Sequence, residues 1–158
     1  MHNRQGPLMA LMSLLALTVV IVAVVWHVIY QVQFIGPVVL LLGFVPWIPI
    51  VLSGRSIRST GADIIFGAVD TGLMAAAALI GAELAGILGA IVGGLIGDSI
   101  TNSLAGIFEG STSERLRSHG IEEARTAVSA SMGKLSGSLI GAGITLTVAW
   151  TIAGLRLP

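Results

Sequence analysis

Residues 63–110 constrain the fold more tightly than any other part of this chain. They read DIIFGAVDTGLMAAAALIGAELAGILGAIVGGLIGDSITNSLAGIFEG, mostly Ala, Gly, Ile and Leu. They nonetheless carry Asp63, Asp70, Glu83, Asp98 and Glu109, with no Lys, Arg or His among them. Charge at membrane depth is costly, so acids kept in so apolar a segment should face one another, a cation or water. As one straight helix the segment would reach about 72 Å, against a hydrocarbon core of about 30 Å. It must therefore fold back. Gly81-Ala82-Glu83 is the expected place, a glycine beside the one charge near the middle.

The whole chain supports a membrane setting. Hydrophobic residues make up 54% of its 158, charged residues only 10%, and mean hydropathy is +0.96. A soluble domain needs about a quarter charged residues to solvate its surface. Net charge is zero, which gives no support for a nucleic-acid partner and supplies no basic lipid-headgroup patch. The absence of cysteine excludes disulfides, thiolate metal sites and a Cys nucleophile.

The remaining apolar segments complete an all-α, polytopic membrane helix bundle in a single integral domain, residues 1–158. About five transmembrane helices are expected, at 8–30, 34–52, 63–80, 83–108 and 135–155. The first segment is too long for a signal-peptide core and lacks a small-residue cleavage site, so it reads as an uncleaved span. Pro37, Pro46 and Pro49 make the second irregular. Residues 110–134 form the polar region, where Ser111 and Glu114 have capping-box spacing and Gly120 reads as a helix stop; short cytoplasmic helices are expected over 113–134. With the N-terminus and 110–134 in the cytoplasm and the C-terminus outside, only Arg156 of the eight cations falls outside, as the positive-inside rule demands.

Counted from a turn at Ala82, Asp70 and Asp98 lie about 18 and 24 Å along antiparallel helices, and Asp63 and Asn102 about 28 and 30 Å. Ala82, Gly86, Ala90, Gly94, Asp98, Asn102, Gly106 and Gly110 recur every fourth residue and form one ridge. Gly89, Gly93, Gly97, Thr101 and Ala105 form the next. Small residues at this spacing let another backbone come close, a glycine-zipper pattern, and place Asp98 and Asn102 against protein. Asp70, Asp98, Asn102 and Thr101 are thus the expected site, with Asp63 and Glu109 as weaker members. Such oxygens suit a divalent cation (Fe²⁺, Mn²⁺ or Mg²⁺) or a proton. The competing reading has Asp98 and Asn102 hydrogen-bonding across the bundle and Asp70 neutralised by burial. Glu114, His119, Glu122 and Glu123 could gather a metal, but a solvated face with intrahelical pairs, Glu114 to Arg117 and Glu122 to Arg125, accounts for them as well.

FGAVDTGL at 66–73, followed by a Gly/Ala-rich helix ending GDSITNSLAGIFEGSTSER, resembles the opening hairpin of the vacuolar iron transporter family. The resemblance covers about a third of the chain, residues 63–114. It implies that Asp70 matches the Asp of an Asp-Gly motif on a metal path, although Thr71 stands between it and Gly72. Asp98 and Glu109 would match approximately. The two spans before the hairpin and the single one after it depart from that family's order.

The expectation is a small multi-pass protein of a cell membrane, or of another cellular or viral membrane, with an acidic cation or proton site on a Gly-rich hairpin. Its partners would be the bilayer and either further copies of itself or a larger membrane complex. The alternative is a structural or accessory membrane protein, an envelope or virion component or a complex subunit, that uses the same glycines for packing. No Ser-His-Asp set, phosphate loop or H-E-x-x-H is present, so no enzyme is expected.

Overall fold

The computed structural model describes residues 5–121 and 126–152, and over these the chain is all α. Helix α1 is Gln5–Val28, α2 Val32–Leu42 and α3 Trp47–Leu52; a single 3₁₀ turn, Ile57–Thr60, leads into α4, Gly61–Ser118. Helix α5, Ala127–Thr147, ends in the π turn Val148–Ile152. Four helical segments are long and apolar enough to cross a membrane, rather than five: Pro7–Val28, Phe34–Leu52, Ile57–Ser118 and Ala127–Trp150.

The difference in count lies in α4, which doubles back within itself. Ala85 (φ −146°, ψ 26°) and Gly86 (φ 59°, ψ −140°) leave helical geometry, and Gly86 takes a positive φ that residues with a Cβ rarely adopt. The turn is therefore at Ala85-Gly86, not at Gly81-Ala82-Glu83. Residues 61–84 form arm one and residues 87–118 form arm two. Gly81 meets Gly89, and Ala77 meets both Gly93 and Gly97, the contacts of an antiparallel pair centred on the turn.

Span 34–52 is broken, as its prolines require. Between α2 and α3 the backbone tightens to bonds three residues back, Phe44 N–H to the Leu41 carbonyl and Trp47 N–H to the Phe44 carbonyl, both 3.1 Å. Pro46 has no N–H and the Trp47 N–H is diverted, so the Gly43 carbonyl loses its helical donors. The Ser136 hydroxyl of α5 supplies one at 2.7 Å, and the Trp47 indole N–H donates to that same hydroxyl at 2.8 Å. Freed backbone groups at membrane depth need such a side-chain partner.

The polar region is shorter than expected. Among the described residues no separate helices form over 113–134: arm two runs on to Ser118, Gly120 ends it with φ 70°, and a helix expected to start near Ile121 and run into the last span starts at Ala127 and does so as α5. Ser111 is no cap, because its hydroxyl bonds back to the Ile107 carbonyl in mid-helix. Thr126 is the cap, accepting from the Ser129 N–H while the Ser129 hydroxyl accepts from the Thr126 N–H.

Helix α5 packs against both the hairpin and the α2–α3 span. Its Gly133, Gly137 and Gly141 meet Asp63, Ile64 and Ala68 in turn, so α5 runs parallel to arm one. On its other side Ile140, Gly143 and Thr147 meet Gly43, Leu40 and Gly36, so it runs antiparallel to α2. One end is closed by Ala10, Ile50, Val128 and Met132, with Trp47 and Leu135 packed round them. Arm two packs along arm one through Gly89, Gly93 and Gly97, and its outer half reaches the start of α5, where Glu109 lines a pocket with Thr126 and Lys134.

Candidate functional site

The two arms of α4 bring one polar pair together between them. The hydroxyl of Thr101, buried on arm two, donates to Asp70 Oδ1 on arm one at 2.8 Å. The same hydroxyl lies 3.2 Å from the Asp98 carbonyl in its own helix. A single proton serves one acceptor at a time, and the shorter contact to a carboxylate is the stronger when that acid is ionised. From the turn at Gly86, Asp70 and Thr101 each lie about 23 Å along their arms, and Asp98 about 19 Å. Asp70 and Thr101 are level, and Asp98 lies about one helical turn nearer Gly86; a separation of about one turn between Asp70 and Asp98 was expected, with Asp98 the farther from the turn.

Facing is where the arrangement departs from expectation. The ridge that packs on arm one is Gly89, Gly93, Gly97 and Thr101, continued by buried Ala105. Successive helical residues are about 100° apart, so Asp98 falls on the flank of that ridge and Asn102 points well away from it. Asp98 is half-buried and Asn102 is exposed, not set against this chain. Asp70 and Thr101 meet directly, Asp98 lies beside them, and Asn102 stands outside.

The outer acids are brought together elsewhere. Moving the turn to residue 86 separates the levels of Asp63 and Asn102 and puts Asp63 beside Glu109 instead. Both line a pocket of about 410 Å³ with Thr126, Ser131 and Lys134. Lys134 Nζ lies 4.2 Å from the centre of the Phe66 ring, a cation–π contact. The lysine that residues 63–110 lack is thus supplied by α5. Glu83 is exposed in the last turn of arm one. Glu114 is exposed, and His119 ends arm two with Nδ1 2.8 Å from the Arg115 carbonyl. Glu122, Glu123 and Arg125 lie outside the described residues. Among the described residues no three His, Cys, Asp or Glu side chains form a metal-binding group.

Polar residues of α5 were missed at the sequence level, although their signal was present. Gly133, Gly137 and Gly141 step by four, and Ser129, Ser136 and Gly143 by seven, marking two small faces of one helix. Ser136 serves Gly43, and the Thr145 hydroxyl donates to the Gly72 carbonyl on arm one at 2.9 Å, two residues from Asp70. In comparisons with known proteins, no family model, no curated protein and no solved structure matches the chain.

Proposed function

We propose that this is a five-crossing membrane protein whose α4 hairpin takes up a proton or a divalent cation on Asp70 and Asp98, with Thr101 in support. The observation that carries the reading is the Thr101 to Asp70 bond, which keeps a carboxylate between two glycine-lined arms instead of letting it reach toward water. An acid held at such depth has few roles besides exchanging its charge. With only two acids at this level, transient occupancy by a proton or weakly held cation fits better than a resident metal. The likeness of residues 66–73 to the vacuolar iron transporter hairpin makes Fe²⁺ the first cation to try.

Purified protein in liposomes should admit Fe²⁺, Mn²⁺ or protons faster than empty vesicles do. Asp70→Asn and Asp98→Asn should each slow entry at least tenfold with folded yield unchanged. Wild-type vesicles no leakier than empty ones, or variants as fast as wild type, would overturn the reading. A structural or accessory role is the second reading, supported by the backbone-on-backbone packing of α5. It expects no flux in either case and failed assembly when those contacts are filled.

A further inference from the structure

One helical turn from Asp70, on the side away from Gly86, a lysine of α5 reaches the seam between the two arms. Residues 63, 66 and 70 are spaced by three and four, so Asp63, Phe66 and Asp70 share one face of arm one. The Thr101 to Asp70 bond turns that face toward arm two. Lys134 belongs to α5, yet its Nζ lies 4.2 Å from the centre of the Phe66 ring. The face of an aromatic ring attracts an ammonium and gives it a fixed place.

Beyond Phe66 the seam opens into a cavity. Measured along the arms from the turn, Asp70 lies at about 23 Å, Phe66 at about 29 Å, and Asp63 and Glu109 at about 34 and 35 Å. The two outer acids line the pocket of about 410 Å³ that Lys134 also lines. On arm two the residue level with Phe66 is Ala105, fully buried on the ridge that packs against arm one. A charge moving along the seam from the pocket to Asp70 therefore passes the Phe66 ring and the ammonium resting on it. With a core of about 30 Å this ring stands at its edge, where a lysine keeps its head in water while its stem lies on apolar surface.

We infer that Phe66 and Lys134 form a selectivity barrier between the pocket and Asp70, admitting protons and holding back divalent cations. The inference rests on the reading of Asp70 as the uptake site and names the proton as its substrate. Repulsion from one fixed ammonium is twice as large for a divalent cation as for a monovalent one. A small divalent cation also gives up its water reluctantly, and the seam at Phe66 and Ala105 is too closely packed for a hydrated ion. A proton needs no such space: one lost by the Glu109 carboxyl in the pocket is gained by Asp70 through hydrogen-bonded water. Lys134 is thus the specificity-determining residue, and Phe66 positions it.

The test reads access to position 70 without requiring flux. The chain has no cysteine, so Asp70→Cys in nanodiscs is a single reporter, probed with a cationic and an anionic methanethiosulfonate of similar size. Adding Lys134→Gln to this variant should raise the ratio of cationic to anionic labelling rates at least tenfold, and Lys134→Arg should leave it unchanged. Lys134 is exposed, so neither change disturbs packing. Adding Phe66→Ala should speed both reagents at least tenfold. In liposomes, Lys134→Gln on the otherwise unaltered chain should raise the ratio of Mn²⁺ to proton entry at least tenfold. A labelling ratio that Lys134→Gln leaves unchanged, position 70 unlabelled in every variant, or an unchanged ratio of Mn²⁺ to proton entry would overturn the inference. Labelling as expected with no entry of either ion would leave the barrier standing and overturn the reading of Asp70 as an uptake site.

Discussion

At the scale of single residues, Asp70 depends on one hydroxyl. Thr101→Val keeps the shape of the side chain and removes the donor, leaving Asp70 without its cross-arm partner. An unmet buried polar group costs about 1–3 kcal/mol, so thermal unfolding in detergent should show a loss in that range. If Asp70 takes up protons or cations, Thr101→Val should also change flux, whereas Thr145→Val, which loses only the bond to the Gly72 carbonyl, should leave flux unchanged. The opposite sign is expected at Ser113, whose buried hydroxyl has no hydrogen-bond partner among the described residues. Ser113→Ala removes a desolvated group and should raise stability by about 1 kcal/mol in the same measurement. That Asp70 and Asp98 lie within about one helical turn of each other was legible in the sequence because rise per residue is fixed. Which way each points was not, because small residues recur every fourth position on two adjacent ridges. Asp98 and Asn102 belong to one, and the other is the one that packs.

At the scale of elements, the glycines of α4 and α5 divide by what they touch. At Gly137 a side chain would run into the Ile64 carbonyl and Ala68 N–H of arm one. Gly137→Leu should therefore separate α5 from the hairpin and abolish folded yield in size-exclusion chromatography, a larger effect than the about 1–3 kcal/mol of ordinary overpacking because backbone must move. The same substitution at Gly110, where a side-chain carbon would meet nothing within 4 Å, should leave folded yield unchanged. Helical segments, and the need for α4 to double back, were readable from length and apolarity alone, but the residue at which it turns was not. Five glycines fall between residues 81 and 94, and any of them could end a helix. Glu83 drew attention as the charged member, yet a reversal needs a positive φ and not a charge, and Gly86 supplies it. The place of α5 between the hairpin and the α2–α3 span was equally hidden, since a helix whose glycines and serines face its neighbours looks less apolar than they do.

At the scale of the whole molecule, chain direction decides how many times the membrane is crossed. Ala10 near the start of α1, Ile50 near the end of α3 and Val128 near the start of α5 share one cluster, so these three points lie at one end of the bundle. Asp63 and Glu109 share a pocket with Thr126 and Lys134, which puts the start of arm one and the outer half of arm two at that end too. The turn at Gly86 lies at the other end. Five crossings follow if the bundle stands across the bilayer, and the end that gathers α1, Asp63 and Lys134 is the one the Arg and Lys distribution assigns to the cytoplasm. Arm two reaches about 48 Å from the turn, so its last turns should project well past a core of about 30 Å. Single cysteines at Ser56, Ser111 and Ser118 should therefore react with a membrane-impermeant maleimide only in inside-out vesicles, and one at Glu83 only in right-side-out vesicles. Labelling of Glu83→Cys from the same side as Ser118→Cys would mean that the hairpin enters and leaves by one face without crossing. Asp70 would then lie on a re-entrant loop, reachable from the cytoplasm alone, and a cation bound there could be exchanged but not carried across.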